Sequence, residues 1–213
     1  MKKIKLYLLL FLLLAGVFVN AQNVRVDSMK MLLGEMDADT TRVNALNAIA
    51  DALYRSDPHE AIRYSTEAKV LAEQIDYPSG LALAYKNLGL GFYMQGEYTE
   101  AFRNWEPSLE IYEELGDDQL AANLLSNMGA IYYSIGKNVE ALEYYLPALL
   151  MAEKLADSTR ISTLLMNIGV IYSEKPTTYN KAQDFYLRAI EMGESIGELD
   201  VVGISTINLG QVY

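Results

Sequence analysis

Residues 87–92 read Asn-Leu-Gly-Leu-Gly-Phe, and the head of this motif returns three times. Asn127-Met128-Gly129, Asn167-Ile168-Gly169 and Asn208-Leu209-Gly210 place their glycines 40, 40 and 41 residues apart. An aromatic follows each glycine by three: Phe92, Tyr132, Tyr172, Tyr213. Farther on stand Ala101, Ala141 and Ala182, each followed four residues later by a ring, Trp105, Tyr145 or Tyr186. The step from each alanine to the next motif glycine is 28, so the one extra residue falls in the 175–179 loop. A degenerate earlier copy carries Ala50, Leu53-Tyr54, Ala61 and Ala68. A fixed period of this length is the mark of a stacked array, because one copy is too small to bury its own apolar face.

Each copy contains two amphipathic helical stretches and a turn. In the copy around Gly89, Ser79 is the expected N-cap of the first helix and Gly96 its stop. The second helix is expected over about 99–115, closed by Gly116. Asp57-Pro58-His59-Glu60 has the order of a helix start: a capping Asp, Pro at the first position, Glu three after the cap. Glycine inside a helix costs about 1 kcal/mol against alanine. Its return in phase at 89, 129 and 169 therefore implies close approach of the paired helix, with the rings filling the space between successive pairs. Pro107 and Pro147 share a register six after the alanine, where each removes a backbone donor and is expected to bend its helix.

These positions resemble the tetratricopeptide repeat family. Tyr85, Leu88, Gly89, Phe92, Ala101 and Trp105 fit its pattern in one copy. Leu125, Met128, Gly129, Tyr132, Ala141 and Tyr145 fit in the next, and Leu165, Ile168, Gly169, Tyr172, Ala182 and Tyr186 in the third. The period of 40 is longer than the usual one, and the proline that closes the second helix is replaced by Glu113, Glu153 and Glu194. That variant is similar to kinesin light chains and related peptide-binding adaptors. The resemblance implies an all-α fold, a right-handed solenoid of stacked antiparallel helix pairs over 40–213. The expected copies are 40–78, 79–118, 119–158, 159–200 and an incomplete 201–213, after a lead-in or capping helix over 22–39.

Composition narrows the chemistry. The chain has 213 residues, no Cys and one His, so thiolate catalysis, Cys-held metals and two-histidine mechanisms are excluded. A net charge of −11 disfavours nucleic acid. Lys2, Lys3 and Lys5 precede a 14-residue apolar stretch, Leu6 to Val19, and small residues lead to a cut ahead of Gln22. This is the three-part pattern of a signal peptide, and the stretch falls short of the roughly 20 residues a spanning helix needs. Cleavage leaves 192 residues at net charge −14, three lysines having gone. The expected location is the periplasm or cell envelope.

No catalytic set emerges. Gly89-Leu90-Gly91 lacks the strand of a dinucleotide loop, and Gly136-Lys137 lacks the rest of a phosphate loop. Glu113-Glu114 and Asp117-Asp118 sit at a helix end and a turn, where solvated charge is ordinary. No cofactor or metal is expected. The candidate site is instead the asparagine column Asn87, Asn127, Asn167 and Asn208. A carboxamide both donates and accepts. One per repeat pairs with the backbone of an extended peptide, and the resemblance implies that role. The same helical face holds Lys86, Leu90 and Met94; Ser126 and Ala130; Met166 and Val170; and Ile204, Ile207 and Gln211. A basic or neutral peptide or protein segment in a concave groove is the expected partner, bound at micromolar strength. The competing roles are an acid-dependent helical hydrolase and a structural spacer in which each Asn only fixes stacking. The copy begun at 201 has no second helix, which reads as the front of a longer membrane sensor with a separate output domain.

Overall fold

The computed structural model describes residues 26–213. The signal-peptide expectation over 1–21 lies outside the described residues. All regular structure among the described residues is helical. A helix over 26–33, α1, is followed by α2 (Thr40–Leu53), α3 (Pro58–Gln74), α4 (Pro78–Met94), α5 (Tyr98–Leu115) and α6 (Asp118–Ser134). Then come α7 (Asn138–Lys154), α8 (Ser158–Tyr172), α9 (Tyr179–Ile196) and α10 (Leu199–Gln211). A single 3-10 turn, Pro176–Thr178, occupies the loop that absorbs the extra residue of the third copy. None of the described helices is long and apolar enough to cross a membrane. The array of paired helices is that of an α-solenoid.

Local chemistry sets the helix ends. The Asp57 carboxylate accepts from Glu60 N at 3.1 Å with Pro58 at the first helical position, as the sequence pattern expects. Asp117 and Asp157 cap α6 and α8 in the same way, accepting from Leu120 N and Arg160 N at 3.1 Å each. The acidic pair at 117–118 is thus structural: Asp117 is a cap and Asp118 is paired with Lys154. Ser79 is not a cap. Helix α4 starts two residues earlier than a Ser79 cap would set it, on Pro78, with Tyr77 at the cap and no side-chain cap bond. The turns between repeats place Asp76, Gly116, Ala156 and Gly197 at φ of 53°, 70°, 54° and 78°. Only two of these four positions have glycine, the residue that enters this left-handed region without strain.

The chain divides into two compact units, one ending at Ser108 and the other beginning at Leu109. The boundary falls inside α5, one residue past Pro107. In the first unit α2 packs on α3 and α4, and α3 on α4. Its core joins Val26 and Leu33 of α1 to Val43, Leu46 and Ile49 of α2 and to Tyr64, Ala68 and Leu71 of α3. In the second unit each helix from α6 to α10 packs on the next, and α8 also meets α10. Tyr145, Leu149, Leu164, Leu165 and Ile168 lie at the centre of that core.

Glycine and ring meet within one helix pair. A Cβ added to Gly89 would lie 2.1 Å from the Trp105 indole nitrogen. At Gly129 it would lie 2.6 Å from the Tyr145 ring, and at Gly169 2.7 Å from the Tyr186 ring. The expectation that rings fill the space between successive pairs is corrected by these contacts: each ring enters the notch that its own pair's glycine leaves open. Trp105, Tyr145 and Tyr186 are all buried, and each such ring is worth about 2–3 kcal/mol of transfer free energy, enough to offset the glycine. In the degenerate first copy the two positions hold Ile49 and Ser65, both fully buried, so bulk has moved from the second helix to the first.

Both prolines are accommodated without a break. Helices α5 and α7 run unbroken through Pro107 and Pro147. The equivalent positions in the other copies hold Glu67 and Arg188, which form ion pairs with Arg42 and Glu153. This register therefore looks outward, where a missing backbone donor leaves a carbonyl that water can satisfy.

Candidate functional site

The asparagine column has two environments. In the first unit it is internal. Asn47, which lies 40 before Asn87, is fully buried on α2 and donates to Gly80 O at 2.9 Å. Asn87 is fully buried on α4 and donates to Asn47 O at 3.1 Å. Its Oδ1 has no hydrogen-bond partner. The amide of Asn87 therefore ties one first helix to the preceding one and presents nothing to solvent. The expected groove role of Asn87 is corrected accordingly. Asn47 escaped the sequence reading because it is followed by Ala48-Ile49 rather than Leu-Gly; the 40-residue offset alone would have found it.

Lys86 is also committed. Its ammonium lies 3.6 Å from an Asp51 carboxylate oxygen, and its carbonyl accepts from the Trp105 indole at 3.0 Å. It is not a free cation on the face. Leu90 beside it is half-buried and Met94 is exposed.

In the second unit the column is open. Asn127 on α6 and Asn167 on α8 are half-buried, unlike the fully buried Asn87. They occupy the same register on successive first helices. Around them, Ser126, Ala130, Met166 and Val170 are all half-buried. The Ser126 hydroxyl donates to Ala122 O at 2.8 Å, one helical turn back. Ala130 and Met166 rest on the core below them, and Val170 packs toward Tyr186 and Val212. Asn208 on α10 is half-buried and hydrogen-bonds with the Tyr186 phenol, which also donates to Ser173 at 3.2 Å. Burial pushes the Tyr186 pKa up, partly offset by these two hydrogen bonds. The four asparagines thus divide: Asn87 is spent in stacking, Asn208 holds a buried phenol, and Asn127 and Asn167 are partly accessible.

The cavities lie elsewhere. One of about 610 Å³ in the first unit is lined by Arg42, Arg63, Glu67, Val70 and Gln74 among others. Its cations are occupied: Arg42 donates to Leu33 O, Met36 O and Glu67, and Arg63 holds Glu60 while lying 4.0 Å from the Tyr64 ring centre. One of about 330 Å³ in the second unit lies between α7, α8 and α9 and is bridged by Arg188 and Glu153 at 3.0 Å. His59 is exposed and 3.2 Å from Gln95. Among the described residues no group of three or more acidic or histidine side chains is arranged to hold a metal.

The family model of the tetratricopeptide repeat matches residues 80–154 and 120–195. Among curated proteins none matches the chain. Solved structures do. BtubC from P. vanneervenii is 23% identical, with a TM-score of 0.73 over 92% of this chain and 81% of that one. A Rap protein complexed with Competence and Sporulation Factor is 19% identical, with a TM-score of 0.62 over 90% of this chain and 57% of that one. A putative kinesin light chain with nearly identical repeats, from Podospora anserina, is 13% identical, with a TM-score of 0.65 over 81% and 85%. These likenesses concern the fold. With its helix pairs, its glycine notches and a family match over more than half its length, the chain belongs to the tetratricopeptide repeat family.

Proposed function

We propose that the chain is a non-catalytic scaffold whose second unit binds an extended peptide or protein segment along α6, α8 and α10. The observation that carries this reading is the pair Asn127 and Asn167, two carboxamides in one register that keep accessible surface where Asn87 has none. Each can give and accept a bond to a peptide backbone, and each such bond contributes about 0.5–1.5 kcal/mol net. Two anchors of that size fit a reversible, weak complex. The Rap protein complexed with Competence and Sporulation Factor supports the reading by analogy of fold.

The test is the double variant Asn127→Ala with Asn167→Ala, assayed against peptides selected on the wild-type chain from a displayed random library. Binding should fall at least tenfold while helical content and melting stay within error. A spacer role has one observation in its favour, the burial of Asn87 in the stack. It predicts that selection yields no binder, or binders indifferent to both changes.

The same proposal sets the repeats outside the cytoplasm, as a sensory or scaffolding part of an envelope signalling assembly. Its support is the lysine-rich start, the apolar stretch and the small residues before Gln22. An intact mass beginning at Gln22 in protein recovered from the envelope is the expected result; a retained Met1 contradicts it.

A further inference from the structure

Charge is sparse on the open face of the second unit, and where it occurs it is negative. On α6 the registers six, three and two before the motif glycine hold Asn123, Ser126 and Asn127; on α8 they hold Thr163, Met166 and Asn167. Five after the glycine stand Ser134 and Glu174. Glu174 is exposed, and the Asn138 amide from the start of α7 donates to one of its carboxylate oxygens. A carboxylate accepts at both oxygens, so this bond fixes the group without saturating it. The cations of the unit are committed elsewhere. Lys137 pairs with Glu140, Lys154 with Asp118, Arg160 with Asp157 and Arg188 with Glu153, while Lys181 lies 5.1 Å from the Tyr172 ring centre. Lys175, next in the chain after Glu174, is the remaining cation of the unit.

Two further features of this end of the face favour positive charge. Helices α6 and α8 both finish here, and neither has a basic residue in its last turn to meet the negative end of its dipole. Tyr133, four after its motif glycine, is 39% exposed. Burial raises the Tyr186 pKa and the nearby Tyr133 phenol adds to that shift, so the two phenols are neighbours. Tyr186 in turn donates to Ser173, the residue before Glu174. Tyr133 and Glu174 therefore stand at one place. An aromatic ring and a carboxylate side by side suit a guanidinium or an ammonium.

Resting on the groove reading above, we propose that the bound segment carries a basic residue whose head pairs with Glu174 beside the Tyr133 ring. Asn167 and Glu174 are seven residues apart, about 10 Å along the helix axis. A segment with its backbone on Asn127 and Asn167 reaches Glu174 only through a long side chain, which selects Lys or Arg. The site is exposed, so it supplies selectivity rather than tightness. This narrows the expectation of a basic or neutral partner to a basic one with a defined contact.

The experiment uses the full mature chain and three pools of acetylated, amidated nonapeptides. The pools are random in uncharged residues except at the centre, which is Arg, its neutral analogue citrulline, or Glu. At low salt the Arg pool is expected to bind about two- to fivefold more tightly than the citrulline pool, the range of an exposed ion pair. The Glu pool should bind more weakly than either, and high salt should shrink the Arg advantage. Glu174→Gln should remove that advantage, and Glu174→Lys should make the Glu pool the tightest binder. Glu143→Gln, at an exposed position of α7, removes the same net charge away from the site and should leave the Arg advantage in place. Both glutamates are exposed, so the variants should fold, and melting curves check this. An Arg advantage that survives Glu174→Gln, or that Glu143→Gln removes equally, overturns the assignment while the groove reading stands. So does an Arg advantage that appears only in Lys175→Gln, because Lys175 would then already neutralise Glu174. If no pool binds, or if Asn127→Ala with Asn167→Ala leaves the binding of every pool unchanged, the groove reading falls and this proposal with it.

Discussion

A missing methyl group at three positions makes the hairpins possible. The Tyr145 ring lies where a Gly129 Cβ would be, so Gly129→Ala should cost about 1–3 kcal/mol through overpacking. Gly203, on α10, has nothing within 4 Å of its Cβ position. Gly203→Ala should therefore stabilise by up to about 1 kcal/mol from helix propensity alone. Thermal melts of the two variants should move in opposite directions. Ala156 supplies a third case at this scale. It holds φ of 54° at a turn where Gly116 and Gly197 occupy the equivalent places. Removing its Cβ relieves about 1 kcal/mol of backbone strain, so Ala156→Gly should raise the melting temperature, although glycine usually lowers it.

At the scale of elements, equal sequence marks cover unequal duties. Asn47 and Asn87 each donate across to another helix or its leading turn from fully buried positions. Asn87→Ala should cost about 1 kcal/mol by removing a buried hydrogen bond between α4 and α2, whereas Asn167→Ala should change stability by less than about 0.5 kcal/mol. Urea melts of the two single variants check this. Tyr186 gives α9 a dependence on pH. Its phenol is held neutral by burial, with its folded pKa above the ordinary value of 10.0. Above pH 10 the unfolded chain releases that proton while the folded one keeps it, so stability falls as pH rises through this range. Tyr186→Phe should remove that part of the alkaline slope, a difference measurable in melts on either side of pH 10.

Over the whole chain, the periodic marks were legible and their environments were not. The glycines, alanines and rings stated the helix pairing, because they encode volume, and volume decides which backbones can approach. The loop at 175–179 was legible from a single-residue slip in the period. The partner of each ring was not: the spacing of Gly129 and Tyr145 fits contact within a pair or between pairs, and only the packed chain chooses. The asparagine column failed for a related reason. A carboxamide reads the same in sequence whether it faces a neighbouring carbonyl or solvent, and that choice depends on how the helices around it pack. In the first unit Asn47 and Gly80 O complete an internal chain of bonds between fully buried groups; in the second Asn127 and Asn167 keep accessible surface.

The division of the asparagine column is the claim on which the functional reading stands, and it can be measured without any ligand. Hydrogen exchange of the side-chain amides, followed by NMR on the assigned chain, should find the Asn47 and Asn87 carboxamides strongly protected and those of Asn127 and Asn167 exchanging nearly as fast as free asparagine. Protection of Asn127 and Asn167 equal to that of Asn87 would contradict the account, because the column would then be a stacking device throughout.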